Sequence, residues 1–463
     1  MSTHADQERG VVFPRADDGR RSTAALGRAV VADALRPVDA TGALAAAQET
    51  GWRSGYLPHF HRLVVAGLAS PEAAVRIARA GLDSLHERMR AVDETGEEQP
   101  LAGWLDAGTG AAPATTEVAG TADPEPEVPL PYRGRRVAGD DLVRRRDEWA
   151  AAGVLEPSAV DAVRAVAAHP EWLRLPGRTV AVLGAGAEMG PLPSLLRWGA
   201  TVAAVDLPVP ALWGRVLGHA RQGAGRLLLP TADADASSTD LARVAGVDLV
   251  AATPAVADWI SGLPGEPVLG NYVYADGAKN LLVSTAVDAL TSHLQRRRPE
   301  TSLAVLATPT DVFVVPGDAV AHASAAYAAR SRSGRLLGRP LRTVSGGRLL
   351  QRHYVPGADP GVTDALVPQQ GPNYALAKRV QRWRATAARA DGATVSLNVA
   401  PPTRTRSVVK NRALAAAYAG AHRFGVEVFE PATSNGLMAA LLVHDLSTGG
   451  GPTHEHPWQD EAY

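Results

Sequence analysis

The 463-residue chain contains no cysteine. This excludes disulfides, thiolate metal ligands and a cysteine nucleophile, and it fits a reducing cytoplasm. Long apolar runs are also missing. No stretch approaches the roughly 18 uninterrupted apolar residues of a membrane span, and the start, MSTHADQERG, lacks an apolar signal core. Neither sign of charge is in excess, with 47 Lys and Arg against 48 Asp and Glu for a net charge of −1. Nothing in that balance points to nucleic acid or an anionic membrane surface. These absences predict a soluble cytoplasmic protein with no nucleic-acid or membrane partner.

What is present is organised around one stretch. The apolar run Thr179–Leu183 stops at Gly184, Gly186 and Gly190, with Met189 in the same turn, and a second apolar run, Thr201–Val205, ends on Asp206. An unbroken apolar run suits a parallel strand buried on both faces, and glycines after it permit close backbone approach. Amides at the following turn and helix can face an anion. Asp206, 22 positions beyond Gly184, stands where a carboxylate accepts both hydroxyls of an adenosine ribose, which favours NAD over NADP. A glycine turn can also be purely structural.

Residues 1–105 read as a mostly helical N-terminal domain. Ser70-Pro71-Glu72 has the form of a helix start and leads into Val75, Ala78, Leu82, Leu85 and Met89 at helical spacing, a stripe that suits a core. His59 and His61 lack a third ligand at useful spacing, so no metal site is expected. Residues 106–130 have no Lys or Arg and are rich in Ala, Gly, Thr, Pro and acids, which predicts a flexible linker over 106–137. Helices are predicted at 140–152 and 157–169. From 179 onward strands and helices alternate. Expected strands are 179–183, 201–205, 226–229, 247–250, 302–307 and 394–399, with helices near 273–296 and from Tyr374. Asp233 or Asp235, after the third of these strands, would meet an adenine. The alternation predicts an α/β, doubly wound parallel sheet in residues 138–463.

Tyr374-Ala375-Leu376-Ala377-Lys378, in this setting, resembles the YxxxK signature of the short-chain dehydrogenase/reductase family. Residues 184–190 resemble that family's glycine turn, with Glu188 replacing its second glycine. Asn280 is similar to its relay asparagine and Thr308 to its hydroxyl residue. Ala251 stands in the segment after the fourth strand, where the family has NNAG and this chain has Ala251-Ala252-Thr253-Pro254. Pro401 lies in a loop resembling the one that closes over nicotinamide. The likeness spans about 175–450 in order and implies a Rossmann-like fold, a dimer or tetramer, and an NAD(P)-dependent oxidoreductase of ketones or secondary alcohols. Tyr374 would transfer the proton, Lys378 would bind the cofactor ribose and tune Tyr374, Thr308 would hold the substrate oxygen, and Asn280 a relay water. The remaining positions, Gly184, Gly186, Met189, Gly190, Asp206, Asp233, Ala251 and Pro401, would line the cofactor.

The physical basis for the pair is that residues at i and i+4 share a helix face, where an ammonium stabilises a phenolate. Tyr274 and Lys279, five apart, do not share one. Thr308 and Tyr374 are 66 residues apart where the family has about a dozen, implying an insertion at about 311–372. Within it Ala319–Ser331 reads as helix, residues 331–335 and 345–347 as loop, and Arg342 and Arg352 would be available to an acidic substrate. Two other functions suit a glycine loop and an acid: an S-adenosylmethionine methyltransferase, and a catalytically silent nucleotide sensor or scaffold, the latter favoured by Glu188 and the missing NNAG.

Overall fold

The computed structural model describes residues 9–16, 18–107, 111–232, 241–330, 354–364, 370–410, 412–424 and 426–450, with isolated positions between 331 and 353. Its strands are β1 (Gly10–Val12), β2 (Arg90–Val92), β3 (Glu98–Pro100), β4 (Ala114–Ala119), β5 (Leu130–Tyr132), β6 (Arg135–Val137), β7 (Arg178–Leu183), β8 (Thr201–Val205), β9 (Arg226–Thr231), β10 (Glu266–Asn271), β11 (Ser302–Ala307), β12 (Val312–Val315), β13 (Gly361–Asp364) and β14 (Val395–Val399). The protein is α/β. Its centre is a seven-stranded sheet in the order β14-β11-β10-β7-β8-β9-β4, parallel except for the antiparallel edge strand β4.

The inner parallel strands are largely apolar on both faces because helices cover both, whereas the edge strand β14 turns Ser396 and Asn398 to Asp445. Ala181 and Leu183 of β7 point into one core, and Val180 and Val182 into the other. The first core lies under helices Thr253–Ser261, Ala278–Arg297 and Gly371–Ala390. The second lies under Leu192–Trp198, Pro210–Gln222 and Pro431–Thr448. The N-terminal helices Thr23–Leu35, Leu57–Gly67 and Pro71–Arg88 form a further layer over the first core and belong to the same apolar cluster. The Ser70 hydroxyl caps Pro71–Arg88 by accepting the Ala73 amide at 3.1 Å.

The layer is joined to the body by buried charge. Asp288 accepts both Nε and Nη2 of Arg384, at 2.7 and 3.0 Å, and lies 2.6 Å from Nε2 of His86. Burial by itself would raise the Asp288 carboxyl, but Arg384 and His86 outweigh it and hold the group far below the ordinary aspartate range.

Three expectations change. Val247–Val250 is loop and turn, and the fourth parallel strand is β10. A four-residue apolar run does not distinguish a strand from a packed loop, and here Val250 packs against the N-terminal strand, with its carbonyl accepting the Val11 amide at 3.0 Å. The stretch read as a linker carries β4, which extends the sheet beside β9, and the β5–β6 hairpin. An edge strand is paired on one side only, and β4 alternates half-buried with exposed residues, so it needs little apolar content. Residues 311–372 are more than a helix and loops. β12 and β13 pair antiparallel, and the helix expected at 319–331 runs over Gly317–Ala328. Residues 331–335 and 345–347, Arg342, Arg352, Asp233 and Asp235 lie outside the described residues.

Candidate functional site

Thr308, Gly184 and Asp206 all follow the carboxyl ends of parallel strands, namely β11, β7 and β8. The topology turns at β7 and β10: connections run outward one way through β8 and β9, and the other way through β11 and β14.

Helix Gly371–Ala390 begins at Gly371, whose φ of +76° suits glycine, with Pro372 in its first turn. Four residues in, Tyr374 turns its hydroxyl to the end of β11. There it lies 2.9 Å from the Thr308 hydroxyl and 3.0 Å from that of Thr310. The 65 intervening residues therefore leave and return, and the hydroxyl pair is assembled by the fold. Lys378, one turn on, is buried with its ammonium 5.7 Å from the Tyr374 ring centroid, within reach of a cation–π contact, and it donates to Oε1 of Gln381 at 3.3 Å. Asn280 lies in the first turn of Ala278–Arg297. Its Oδ1 accepts the Ala275 amide at 3.2 Å, and its Nδ2 is buried without a partner. It makes no hydrogen bond to Thr308, Tyr374 or Lys378.

Thr310 and Gln370 were not singled out from the sequence. Nε2 of Gln370 reaches the Thr310 hydroxyl at 3.3 Å. The pattern Thr308-Pro309-Thr310 held the clue, a second hydroxyl two residues beyond the first. Asp311, Arg379 and Arg382 were also missed. All three are buried, and Oδ2 of Asp311 accepts Arg379 Nη2 at 3.1 Å and Arg382 Nε at 2.8 Å. Burial opposes ionisation of Asp311, yet the two guanidinium charges prevail and hold its carboxyl below the ordinary range. Burial pushes Arg382 down to about 10, Asp311 resisting the fall and Arg379 adding to it.

The glycine turn is tight. Gly184 has φ +86°, and a Cβ there would lie 2.9 Å from the Tyr272 carbonyl oxygen. Asp206 closes the turn: its Oδ2 accepts the Gly186 amide and its Oδ1 the Leu207 amide, each at 2.8 Å. Burial raises the Asp206 carboxyl above its ordinary value, with the Gly186 and Leu207 amides opposing. Glu188 turns outward, its Oε2 accepting the Arg406 amide at 2.8 Å and its Oε1 lying 2.9 Å from Arg406 Nε. The missing second glycine is thereby tied to the segment beyond Pro401. Asn435, on the C-terminal helix, donates to the Gly190 carbonyl and accepts the Ser194 hydroxyl at 2.6 Å. Met189 packs against the second core, and the Pro401 carbonyl accepts the Thr403 hydroxyl at 2.7 Å.

Ala251 follows no strand. It is exposed near the start of Thr253–Ser261, and Gly10 lies so close that a Cβ on it would be 2.5 Å from the Ala251 Cα. Tyr274 is exposed and donates to Asp276 at 3.2 Å. His59 stacks on Trp52 at 5.8 Å, with Nε2 3.6 Å from Glu49. Among the described residues no group of three His, Cys, Asp or Glu is arranged to hold a metal ion. Nor is any described helix long and apolar enough to cross a membrane.

Comparison of the chain with family models, curated proteins and solved structures returned no match.

Proposed function

We propose that the protein is a Rossmann-like, NAD(H)-dependent oxidoreductase acting on a ketone or secondary alcohol. The observation that carries the reading is the meeting of Tyr374 with Thr308 across 66 residues, with Lys378 against the Tyr374 ring. The parallel-strand order supports it, since the chain order of these strands across the sheet is the doubly wound 3-2-1-4-5-6, and Gly184 and Asp206 stand at the carboxyl ends where such sheets bind ligands.

Gly184, Gly186 and Asp206 suit an adenosine diphosphate moiety. The turn leaves no room for side chains at its closest approach, Glu188 is drawn off to Arg406, and two amides leave the Asp206 carboxylate with further acceptor capacity. Bound there, NADH would supply hydride. Tyr374 would give its hydroxyl proton to the substrate oxygen, Thr308 and Thr310 would orient that oxygen and the phenol, and Lys378 would stabilise the phenolate left behind. The small molecule is the substrate, and a homo-oligomer in the cytoplasm is part of the same reading.

A silent nucleotide-binding protein is the second reading. It is favoured by Asp206 holding the Gly186 amide, which a pyrophosphate would otherwise use. The test is thermal denaturation with NADH, NADPH and S-adenosylmethionine in turn, followed by a panel of ketones with NADH. Stabilisation by NADH with turnover supports the oxidoreductase. Stabilisation without turnover supports the silent protein, and stabilisation by the methyl donor alone overturns both.

A further inference from the structure

The charges beside Tyr374 do not balance. Helix Gly371–Ala390 brings Lys378, Arg379 and Arg382 inward, 6, 5 and 2 % exposed; among the described residues Asp311 is the one carboxylate paired with the two arginines, and none pairs with Lys378. One oxygen of Asp311 serves both arginines, and the other accepts the Val312 amide at 2.8 Å. Arg379 uses its Nη2 a second time, on the Val312 carbonyl at 2.6 Å. Both terminal nitrogens of Arg382 and Nε of Arg379 remain buried with no partner. An unsatisfied buried donor is destabilising, and more so when charged. Buried polar groups are nearly always hydrogen-bonded, so three charged donors without an acceptor set this cluster apart.

The terminal nitrogens of a guanidinium form a fork that matches two oxygens of a carboxylate or phosphate. Arg382 is held in place on two sides. Asp311 fixes its Nε, the Phe313 ring lies 5.2 Å from its Cζ, and it is two turns from Tyr374 on one helix. The sequence between Thr310 and Tyr374 is also net basic, with seven arginines against four aspartates and no Lys or Glu, in a chain of net charge −1.

The geometry points to an oxyanion subsite at Arg382 and Arg379, so that the substrate is a carbonyl compound or alcohol that also bears a carboxylate or phosphate. The word substrate rests on the oxidoreductase reading. The subsite does not.

The test is calorimetric titration of the whole protein with inorganic phosphate and, separately, with pyruvate, against sodium chloride at matched ionic strength. At least one oxyanion should bind saturably, and Arg382→Met should weaken it at least tenfold. The preferred ion distinguishes a phosphate from a carboxylate substrate. Binding no better than that of chloride, or equal binding by Arg382→Met, would place any anion on other arginines and overturn the subsite. Should that variant not fold, a crystal structure of the wild-type protein soaked in the preferred ion decides. An ion on the Arg382 fork upholds the subsite, and water alone there overturns it. NADH is titrated in parallel, and anion binding without NADH binding would remove the cofactor reading while leaving the subsite standing.

Discussion

Replacing Asp206 with alanine separates the role of this carboxylate in the fold from its role in binding. In the free protein it accepts two backbone amides, those of Gly186 and Leu207. Those bonds are offset by burial, which raises its pKa. Leu207 is exposed, so its amide regains water in the variant. The folding free energy at neutral pH should therefore fall by no more than about 1 kcal/mol, the net value of an ordinary hydrogen bond. The cost to cofactor binding should be larger, because ribose hydroxyls would lose a charged acceptor worth about 1.5–3 kcal/mol, or roughly 10- to 150-fold in affinity. NADPH should lose less, since its 2′-phosphate is repelled by the same carboxylate. The sign of the pH effect follows from the raised pKa: the contribution of Asp206 to stability is fully present below the unfolded-state value, about 3.9, and is lost as pH rises through the folded-state value. The alanine variant should lack that decline. Isothermal titration with NADH and NADPH, with urea denaturation on the same samples, measures each quantity. A folded variant that binds NADH as well as the wild type would show that the nucleotide does not sit at Asp206.

Tyr374→Phe removes the proton donor but keeps the ring against Lys378. The Thr308 and Thr310 hydroxyls, 3.4 Å apart, can then bond each other, so stability should fall by only about 0.5–1.5 kcal/mol. NADH affinity should hold while turnover of a substrate found by screening drops about 10²–10⁴-fold, and near-normal rates would refute the assignment. Asp288→Asn leaves the partly buried Arg384 without its carboxylate and should cost about 3 kcal/mol by chemical denaturation, the lower end for a buried ion pair. The lowered pKa of Asp288 means that its contribution is present above the ordinary aspartate range and disappears as pH falls through the folded-state value. The wild type should lose its advantage over the variant in acid, and a neutral-pH difference under about 1 kcal/mol would contradict the ion-pair account. Gly184→Ala adds a methyl at φ +86° against the Tyr272 carbonyl. About 1–2 kcal/mol of left-handed strain and about 1–3 of overpacking are expected in urea titration, and a neutral substitution would show that the turn is not held as described.

Much of the parallel sheet was legible because its signals are local. β7, β8 and β11 are short apolar runs, and a strand buried on both faces needs that composition. The i, i+4 spacing of Tyr374 and Lys378 is likewise a property of one helix. β10 was not legible: it starts with Glu266-Pro267 and ends on Asn271, while the more apolar Val247–Val250 is packed loop. Periodicity registers how apolar a segment is, whereas its neighbours decide whether it pairs.

Tertiary structure alone decided the rest. That Thr308 meets Tyr374 depends on a long excursion returning to the end of β11, which no residue pattern specifies. The glycine turn and Asp206 were visible as types, but the carboxylate's hold on Gly186 depends on β7 and β8 lying side by side. Arg379 and Arg382, in Lys378-Arg379-Val380-Gln381-Arg382, look by sequence like a solvated helix face. They are buried because Gly371–Ala390 lies between the sheet and the outer helix Pro71–Arg88, where Trp383 packs against Gly81. Composition determined which segments could be apolar strands, and the layering of helices determined which charges were taken out of water.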